Sequence, residues 1–171
     1  SKNNLSQFNF SYTFAMIDII SKGDLEFRNE TKERLFSLRE FYIGFYPSFG
    51  EIRLGKQINS WGLVDGNNPT DNLTPRDLTL LSPEIDEDRL GVEAIKVSKI
   101  FGSYSSITGI WIAEFEPNNL PPANSPGLQV REDIPKTRGQ YALKFDQSGG
   151  DIDWSISYFN GVDLNADLAV V

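Results

Sequence analysis

The chain of 171 residues contains no cysteine and no histidine. Without cysteine, the protein has neither disulfides nor thiolate metal sites. Without histidine, it lacks the commonest zinc ligand and the general base of a Ser-His catalytic triad. These absences exclude most hydrolase mechanisms. We predict that the protein is not an enzyme and that it holds no metal ion and no cofactor.

Basic residues are scarce too. Sixteen Lys and Arg stand against 24 Asp and Glu, which gives a formal net charge of -8. A protein that binds nucleic acid needs a basic surplus to neutralise phosphates. We therefore expect no nucleic-acid partner.

Long apolar runs are also missing, and the mean hydropathy is -0.33. No run approaches the roughly 18 residues that a membrane-spanning helix requires. A transmembrane β-strand needs only about 10 residues, of which every second one is apolar, so the composition remains compatible with a membrane barrel. The chain begins at Ser1 without an initiator Met or a signal-peptide pattern, and we interpret it as a mature chain or a fragment.

Large apolar side chains alternate with small polar ones along several segments. Successive side chains of a strand point to opposite faces, so this period of two predicts β-strands. Residues 8–16 place five large side chains on one face: Phe8, Phe10, Tyr12, Phe14 and Met16. Residues 141–145 and 152–158 repeat the pattern. Weaker candidates are residues 35–46, 50–57, 92–101 and 104–115, the last blurred by Ile110 and Ile112 on the opposite face.

The connections between these seven candidate strands alternate in length. Tight turns are predicted at 47–50, around 102–103, and at 147–151, where glycines can take positive φ. Long links rich in Pro, Asn, Asp and Gly are predicted at 21–33, 58–91 and 116–137. This rhythm is typical of outer-membrane barrels, which have short periplasmic turns and long outer loops.

The predicted fold is therefore all-β: an antiparallel up-and-down transmembrane β-barrel. Residues 1–171 would form one barrel domain or part of one. We expect 8–20 to run outward, 35–46 to run inward, and the segment after 57 to lie on the outer side. Seven strands is an odd number, whereas bacterial single-chain barrels have an even one. The tail from Gly161 to Val171 could hold part of an eighth strand, and we favour a fragment of a larger barrel.

Each strand of such a barrel has an apolar face toward lipid and a polar face toward the lumen. The candidate lumen-facing residues are Glu40, Glu51, Arg53, Gln57, Gln140, Lys144, Asp146 and Asp153. Aromatic residues near strand ends suit the headgroup level: Tyr12, Phe14, Phe45, Tyr46, Tyr158 and Phe159. The same alternation also fits a soluble sheet with one face on a core, and this alternative stays open.

The most distinctive residues lie in the predicted long loop 58–91 and the strand before it. They read Arg53-Leu-Gly-Lys-Gln57, Trp61-Gly62, Asp65-Gly-Asn-Asn-Pro-Thr-Asp-Asn72, Pro75-Arg-Asp77 and Glu87-Asp-Arg-Leu-Gly91. This pattern resembles that of porin-like outer-membrane channel families of Gram-negative bacteria, although Lys56 stands where Arg is commoner. The resemblance covers about residues 38–95 and implies an outer-membrane barrel that passes small molecules or exports a polymer, without naming a substrate.

The loop 58–91 has the composition of a structured segment, because Asn and Asp cap turns and Pro69 and Pro75 stiffen the path. Its candidate functional residues are Trp61, Asp65, Asn67, Asp71, Arg76, Asp77 and Arg89. Arg76 and Arg89 could bind the loop carboxylates in bidentate fashion. The loop either narrows the pore mouth or is a self-capped surface loop, and both interpretations remain open. The oxygen-rich side chains of Asp65, Asn67, Asp71 and Asn72 do not follow the residue order of a helix-loop-helix calcium loop. Their expected role is therefore to cap turns.

Three functions are compatible with these features. The first is a channel for diffusion or selective transport of small molecules or ions in the bacterial outer membrane, where the formal charge favours cations. The second is an outer-membrane enzyme, for which a lipase-type triad is excluded. The third is a binding or structural barrel, or a soluble β-sandwich that binds a ligand through its loops. Expected partners are outer-membrane lipid and lipopolysaccharide, the permeant, and either a second copy or an envelope-complex protein.

Overall fold

The computed structural model describes residues 4–28, 33–59, 61, 73–78, 89–114, 116–119, 128–131, 138–149, 152–162 and 167–170. Within them the chain forms ten strands and no helix. Their bounds are β1 (Asn4–Phe14), β2 (Ile17–Arg28), β3 (Glu33–Phe45), β4 (Gly50–Gln57), β5 (Val92–Phe101), β6 (Ser105–Glu114), β7 (Leu128–Arg131), β8 (Arg138–Gln147), β9 (Trp154–Asn160) and β10 (Asp167–Val170).

Eight strands form one antiparallel sheet in the order β1-β2-β3-β4-β5-β6-β8-β9. Apart from β7, which is not part of this sheet, each strand pairs with the strand that precedes it in the chain. This is the up-and-down topology that the sequence predicts. The all-β class and the antiparallel up-and-down sheet are therefore confirmed. The sheet is open, since β1 and β9 are not paired with each other. In the described part of the chain, no helix is long and apolar enough to cross a membrane.

The first hairpin corrects the predicted strand order. Residues 8–20 do not run in one direction, because the chain reverses at Ala15 and Met16 and pairs Phe14 with Ile17. Ala15 takes a positive φ of 54°, which a tight two-residue turn requires but which alanine rarely adopts. The predicted long link 21–33 is also wrong over residues 21–28, which belong to β2.

β2, rather than the C-terminal tail, supplies the eighth strand of the large sheet. In the tail, β10 pairs with β7 in a separate two-stranded sheet. The apolar alternation of β2 is interrupted at Ser21 and Gly23, which stand opposite Phe10 and Phe8 of β1. A side chain at Gly23 would collide with the Phe8 ring, and the rings of Phe8 on β1 and Phe36 on β3 stack with centroids 5.6 Å apart.

Two ends of the sheet differ in their connections. The turns at 15–16, 46–49, 102–104 and 148–153 lie at one end, which we call the turn end. They join one another through backbone hydrogen bonds from Tyr46 to Met16 (2.9 Å) and from Ser148 to Tyr104 (2.8 Å). At the opposite end, the loop end, β4 and β6 end and β5 and β8 begin, so the two long connections leave the sheet there, as the predicted rhythm requires.

The strands are inclined to the row of turns. Phe14, the last residue of β1, shares a row of paired residues with Ile17, Phe45, Ile52, Val97, Gly109, Leu143 and Tyr158. Tyr158 lies four residues beyond the start of β9 at Trp154. A sheet that curls toward a barrel needs such a stagger between its strands.

One face of the sheet carries large apolar side chains that remain open to the surroundings. This aromatic face includes Phe10, Phe14, Phe41, Leu54, Trp111, Leu143 and Ile156. Phe14 is 68% exposed and Leu54, in a central strand, is 55% exposed. Within the described residues no second sheet packs against this face, so the aromatic residues are not the core of a sandwich.

The opposite face, the polar face, carries the buried cluster. At the loop end Val92, Ala94, Ile110, Ile112 and Ala142 pack against Trp61 and Leu73 of the segment 58–91, with Phe159 beside them. Ile110 and Ile112, which blur the alternation of β6, are therefore apolar because a loop covers them. Phe159 belongs to this cluster and pairs with Ala142, so its prediction as a girdle residue is wrong.

Candidate functional site

Charged residues gather on the polar face in the middle strands. The sequence predicts Glu40, Glu51, Arg53, Lys144 and Asp146 for this face, and the strand registers place all five there. Gln57 and Gln140 share the face and are buried, with Gln57 fully inaccessible. The Gln57 amide donates a 3.0 Å hydrogen bond to the carbonyl of Ala94 on β5.

Four groups of ion-paired residues lie across the polar face, and we call them together the charge belt: Lys22, Asp24, Arg39, Glu40, Glu51, Arg53, Lys96, Lys144 and Asp146. Lys22 lies 2.6 Å from Glu40, and Lys144 lies 2.9 Å from Asp146. Glu51 contacts both Arg53 (2.6 Å) and Lys96 (3.4 Å). All these pairs join residues of the same strand or of adjacent strands.

Four members of the charge belt are not among the predicted site residues: Lys22, Asp24, Arg39 and Lys96. Lys96 has a readable signal, because it alternates with Ile95 and Val97. Lys22 and Asp24 were missed with strand β2. Arg39 is the extra residue of a β-bulge, where Lys22 pairs with Glu40 and Gly23 pairs with Leu38. A β-bulge interrupts the alternation of a strand, so the sequence pattern does not reveal which face Arg39 belongs to.

The bulge residues hold both stems of the segment 58–91. Glu40 accepts a 3.0 Å hydrogen bond from the backbone N–H of Ile58, where the segment begins. Arg39 donates a 3.2 Å hydrogen bond to the carbonyl of Arg89, where it ends. Arg39 also lies 3.6 Å from Asp24 of β2. We call Arg39 and Glu40 the stem clamp, since two adjacent residues fix both ends of one long connection.

The segment itself folds back over the polar face. Trp61, Leu73, Thr74 and Pro75 are all buried. The Thr74 hydroxyl accepts a bond from the Asn59 N–H (3.0 Å) and donates one to the Asn59 carbonyl (2.9 Å). Trp61 reaches the charge belt, where the Lys144 ammonium lies 5.8 Å from the centre of its ring.

Backbone bonds tie this segment to the other long connection. Arg76 and Arg89 face each other in an isolated antiparallel bridge, and Asp77 pairs with Asn119 in a parallel one. The Arg76 N–H also donates to the side chain of Asn118 (2.8 Å). The three predicted loop residues Arg76, Asp77 and Arg89 are thus brought together at the loop end.

The remaining predicted residues lie elsewhere. Asp65, Asn67, Asp71 and Asn72 lie outside the described residues, as does the acidic run 84–88. Asp153 is not on the polar face of a strand. It belongs to the turn before β9, where its carboxylate accepts a 2.9 Å hydrogen bond from the Gly149 N–H. Within the described ranges, no three acidic side chains form a group that could hold a metal ion.

A cleft of about 440 Å³ opens beside the charge belt. Its lining combines amide, charged and aromatic side chains, among them Asn9, Lys22, Glu40, Tyr42 and Arg53. The Arg53 guanidinium lies 5.1 Å from the centre of the Tyr42 ring. At the turn end, burial raises the pKa of the Tyr46 phenol, and the positive charge of Arg53 offsets part of this effect. The lining can therefore offer hydrogen-bond donors, acceptors and charges of both signs to a polar solute.

Comparisons of the chain with protein-family models, with curated proteins and with solved structures found no match.

Proposed function

We propose that this chain forms part of an outer-membrane β-barrel that acts as a porin-like channel for small molecules or ions. One observation carries the proposal: large apolar side chains stay exposed across the eight-stranded sheet while the opposite face holds the paired charges. A protein in water rarely exposes an apolar patch larger than a few hundred Å². Hydrocarbon around the aromatic face would remove this cost.

The two faces suit the two surroundings of a barrel wall. In lipid, backbone polar groups must pair inside the protein, which an antiparallel sheet achieves everywhere except at its edges. Charged residues of the aromatic face stand toward the ends of the strands, with Lys56 and Glu93 at the loop end and Lys99 at the turn end. Side chains of this kind can reach the membrane surface. The eight-stranded sheet is open between β1 and β9, so the proposal includes further strands that close the barrel.

The channel is proposed to be narrowed by the segment 58–91. The support is that its described residues pack against the polar face and not away from the sheet, with Trp61 5% and Leu73 2% exposed. The stem clamp and the bridges to 116–119 give the segment a defined position. A surface loop that only caps itself would have no reason to bury a tryptophan against lumen-facing strands.

The first test is whether the protein forms channels. We expect the protein to require detergent for extraction and to produce stepwise ion conductance in a planar lipid bilayer, because a closed barrel with a polar interior conducts ions. A soluble binding module would instead stay in solution without detergent. A structural or binding barrel would need detergent but would leave the bilayer non-conducting.

The second test is deletion of residues 63–85, with the segment ends joined by a short Gly-Ser linker. We expect a clearly larger single-channel conductance, because the deletion removes Leu73 and Pro75 from the polar face. Detergent extraction and the far-UV circular dichroism spectrum should remain those of the parent protein. An unchanged conductance in this variant would contradict the constriction.

A further inference from the structure

Glu51 serves two cations of the charge belt. Its two oxygens contact Arg53 and Lys96 at 2.6 and 3.4 Å. Elsewhere in the belt Lys22 contacts Glu40, Arg39 contacts Asp24, and Lys144 contacts Asp146. Arg53 and Lys96 therefore share one carboxylate.

The strand register places these two cations side by side. Arg53 on β4 stands directly opposite Lys96 on β5. Like charges in such a cross-strand pair repel each other and destabilise the sheet. Asp18 lies in the same row beyond Gly44, but it forms no ion pair with Arg53 among the described residues. A bound anion would relieve the repulsion that the single carboxylate leaves.

Other donors surround the same place. Glu51, Ser98, Thr108 and Lys144 form one row across the sheet, and the Ser98 and Thr108 hydroxyls lie 3.0 Å apart. This row is next to the row of Arg53 and Lys96 on the same face. A guanidinium has five N–H donors and an ammonium three, so the contacts with Glu51 leave further donors on Arg53 and Lys96.

We propose that Arg53, Lys96 and Lys144 form a binding site for a small oxyanion, either inorganic phosphate or the carboxylate of a permeant. The inference deepens the proposed channel function and rests on it, because it names the class of solute that the lumen would retain. The planar fork of Arg53 matches the geometry of phosphate and carboxylate oxygens. The two lysines would bind as mobile point charges. The acidic surplus of the chain therefore does not dictate a preference for cations.

The test uses inorganic phosphate, and separately acetate, added to a potassium chloride bath during single-channel recording. We expect phosphate to lower the conductance of the parent channel in a saturable manner. Lys96→Gln should raise the half-effect concentration about fivefold, which is the loss of one partly screened ionic contact. Lys99→Gln removes one positive charge from the aromatic face and should leave that concentration unchanged. Acetate with an equal effect would identify a carboxylate site, whereas an effect of phosphate alone would identify a phosphate site.

Binding calorimetry on the detergent-solubilised protein separates this site from the channel. Phosphate binding that is weaker in Lys96→Gln but unchanged in Lys99→Gln supports the oxyanion site. If the protein also shows no conductance, the channel is rejected and the site is kept. A conducting parent protein that ignores both anions, or equal responses of the two variants, would overturn the oxyanion site and leave the channel standing. Far-UV circular dichroism of both variants should match the parent protein before either result is used.

Discussion

Replacing Leu54 with lysine is expected to prevent stable insertion of the protein into lipid bilayers. Leu54 lies at the centre of the aromatic face, between Ile43 on β3 and Ile95 on β5. A lysine at the bilayer midplane of a barrel costs about 2–4 kcal/mol on the lipid face. On a soluble protein the same change at a residue that is 55% exposed would be close to neutral. The size of the effect therefore distinguishes lipid from water as the surroundings of this face.

The matched control is Ser98→Lys, which introduces the same charge one strand away on the polar face. Ser98 pairs with Glu51 on the polar face, so the new ammonium would stay out of lipid. Crowding with Arg53 and Lys96 would cost about 0.2–1 kcal/mol, less than a lysine on the lipid face. Folding into lipid vesicles, measured by guanidinium titration and by protection from protease, should be lost for Leu54→Lys and kept for Ser98→Lys. Equal stability of the two variants would contradict a lipid-facing aromatic surface.

Alternation was informative where both faces of a strand have uniform surroundings. β1, β8 and β9 were predicted because their aromatic face meets no other part of the described chain, so large apolar residues recur at every second position. β2 was missed for a physical reason. Its apolar face carries Ile17, Ile19 and Leu25, but Ser21 and Gly23 interrupt the alternation between them, and the Phe8 ring of β1 lies over Gly23. The turn at Ala15 and Met16 also lacks the Asn-Gly type of sequence that usually marks a two-residue hairpin.

The site residues that lie within strands could be predicted from the sequence, whereas the contacts that the connections make could not. Glu51 and Arg53 share a face at a spacing of two, and their pairing follows from that period. The stem clamp depends on a bulge at Arg39 and on partners about 20 and 50 residues away, which only the folded chain brings together. Asp153 was predicted as a strand residue because it alternates with Ile152 and Trp154. It lies in a turn instead, where its carboxylate accepts a local hydrogen bond from the Gly149 N–H.

Loosening the stem clamp is expected to open the channel without removing any of the loop. Glu40→Ala leaves the N–H of Ile58 without its acceptor and Lys22 without its carboxylate. A fully buried N–H that loses its partner costs about 1–3 kcal/mol, and Ile58 is partly buried, so we expect the lower part of this range. The Lys22 side chain is about half exposed, so the lost ion pair adds at most about 1 kcal/mol. We expect a higher single-channel conductance and a cleavage rate by trypsin within 58–91 that rises at least about tenfold.

Two further variants identify the cause of this effect. Glu40→Gln keeps an oxygen that can accept from the Ile58 N–H but loses the charge, so its cleavage rate should fall between those of the parent protein and Glu40→Ala. Glu93→Ala removes an exposed carboxylate of β5 at the loop end and should behave as the parent protein does. If Glu40→Ala keeps the parent's protease resistance and conductance, the clamp does not hold the segment. If all three variants open the channel alike, net charge and not the contact at Ile58 is responsible, because only a positional contact distinguishes Glu40 from Glu93.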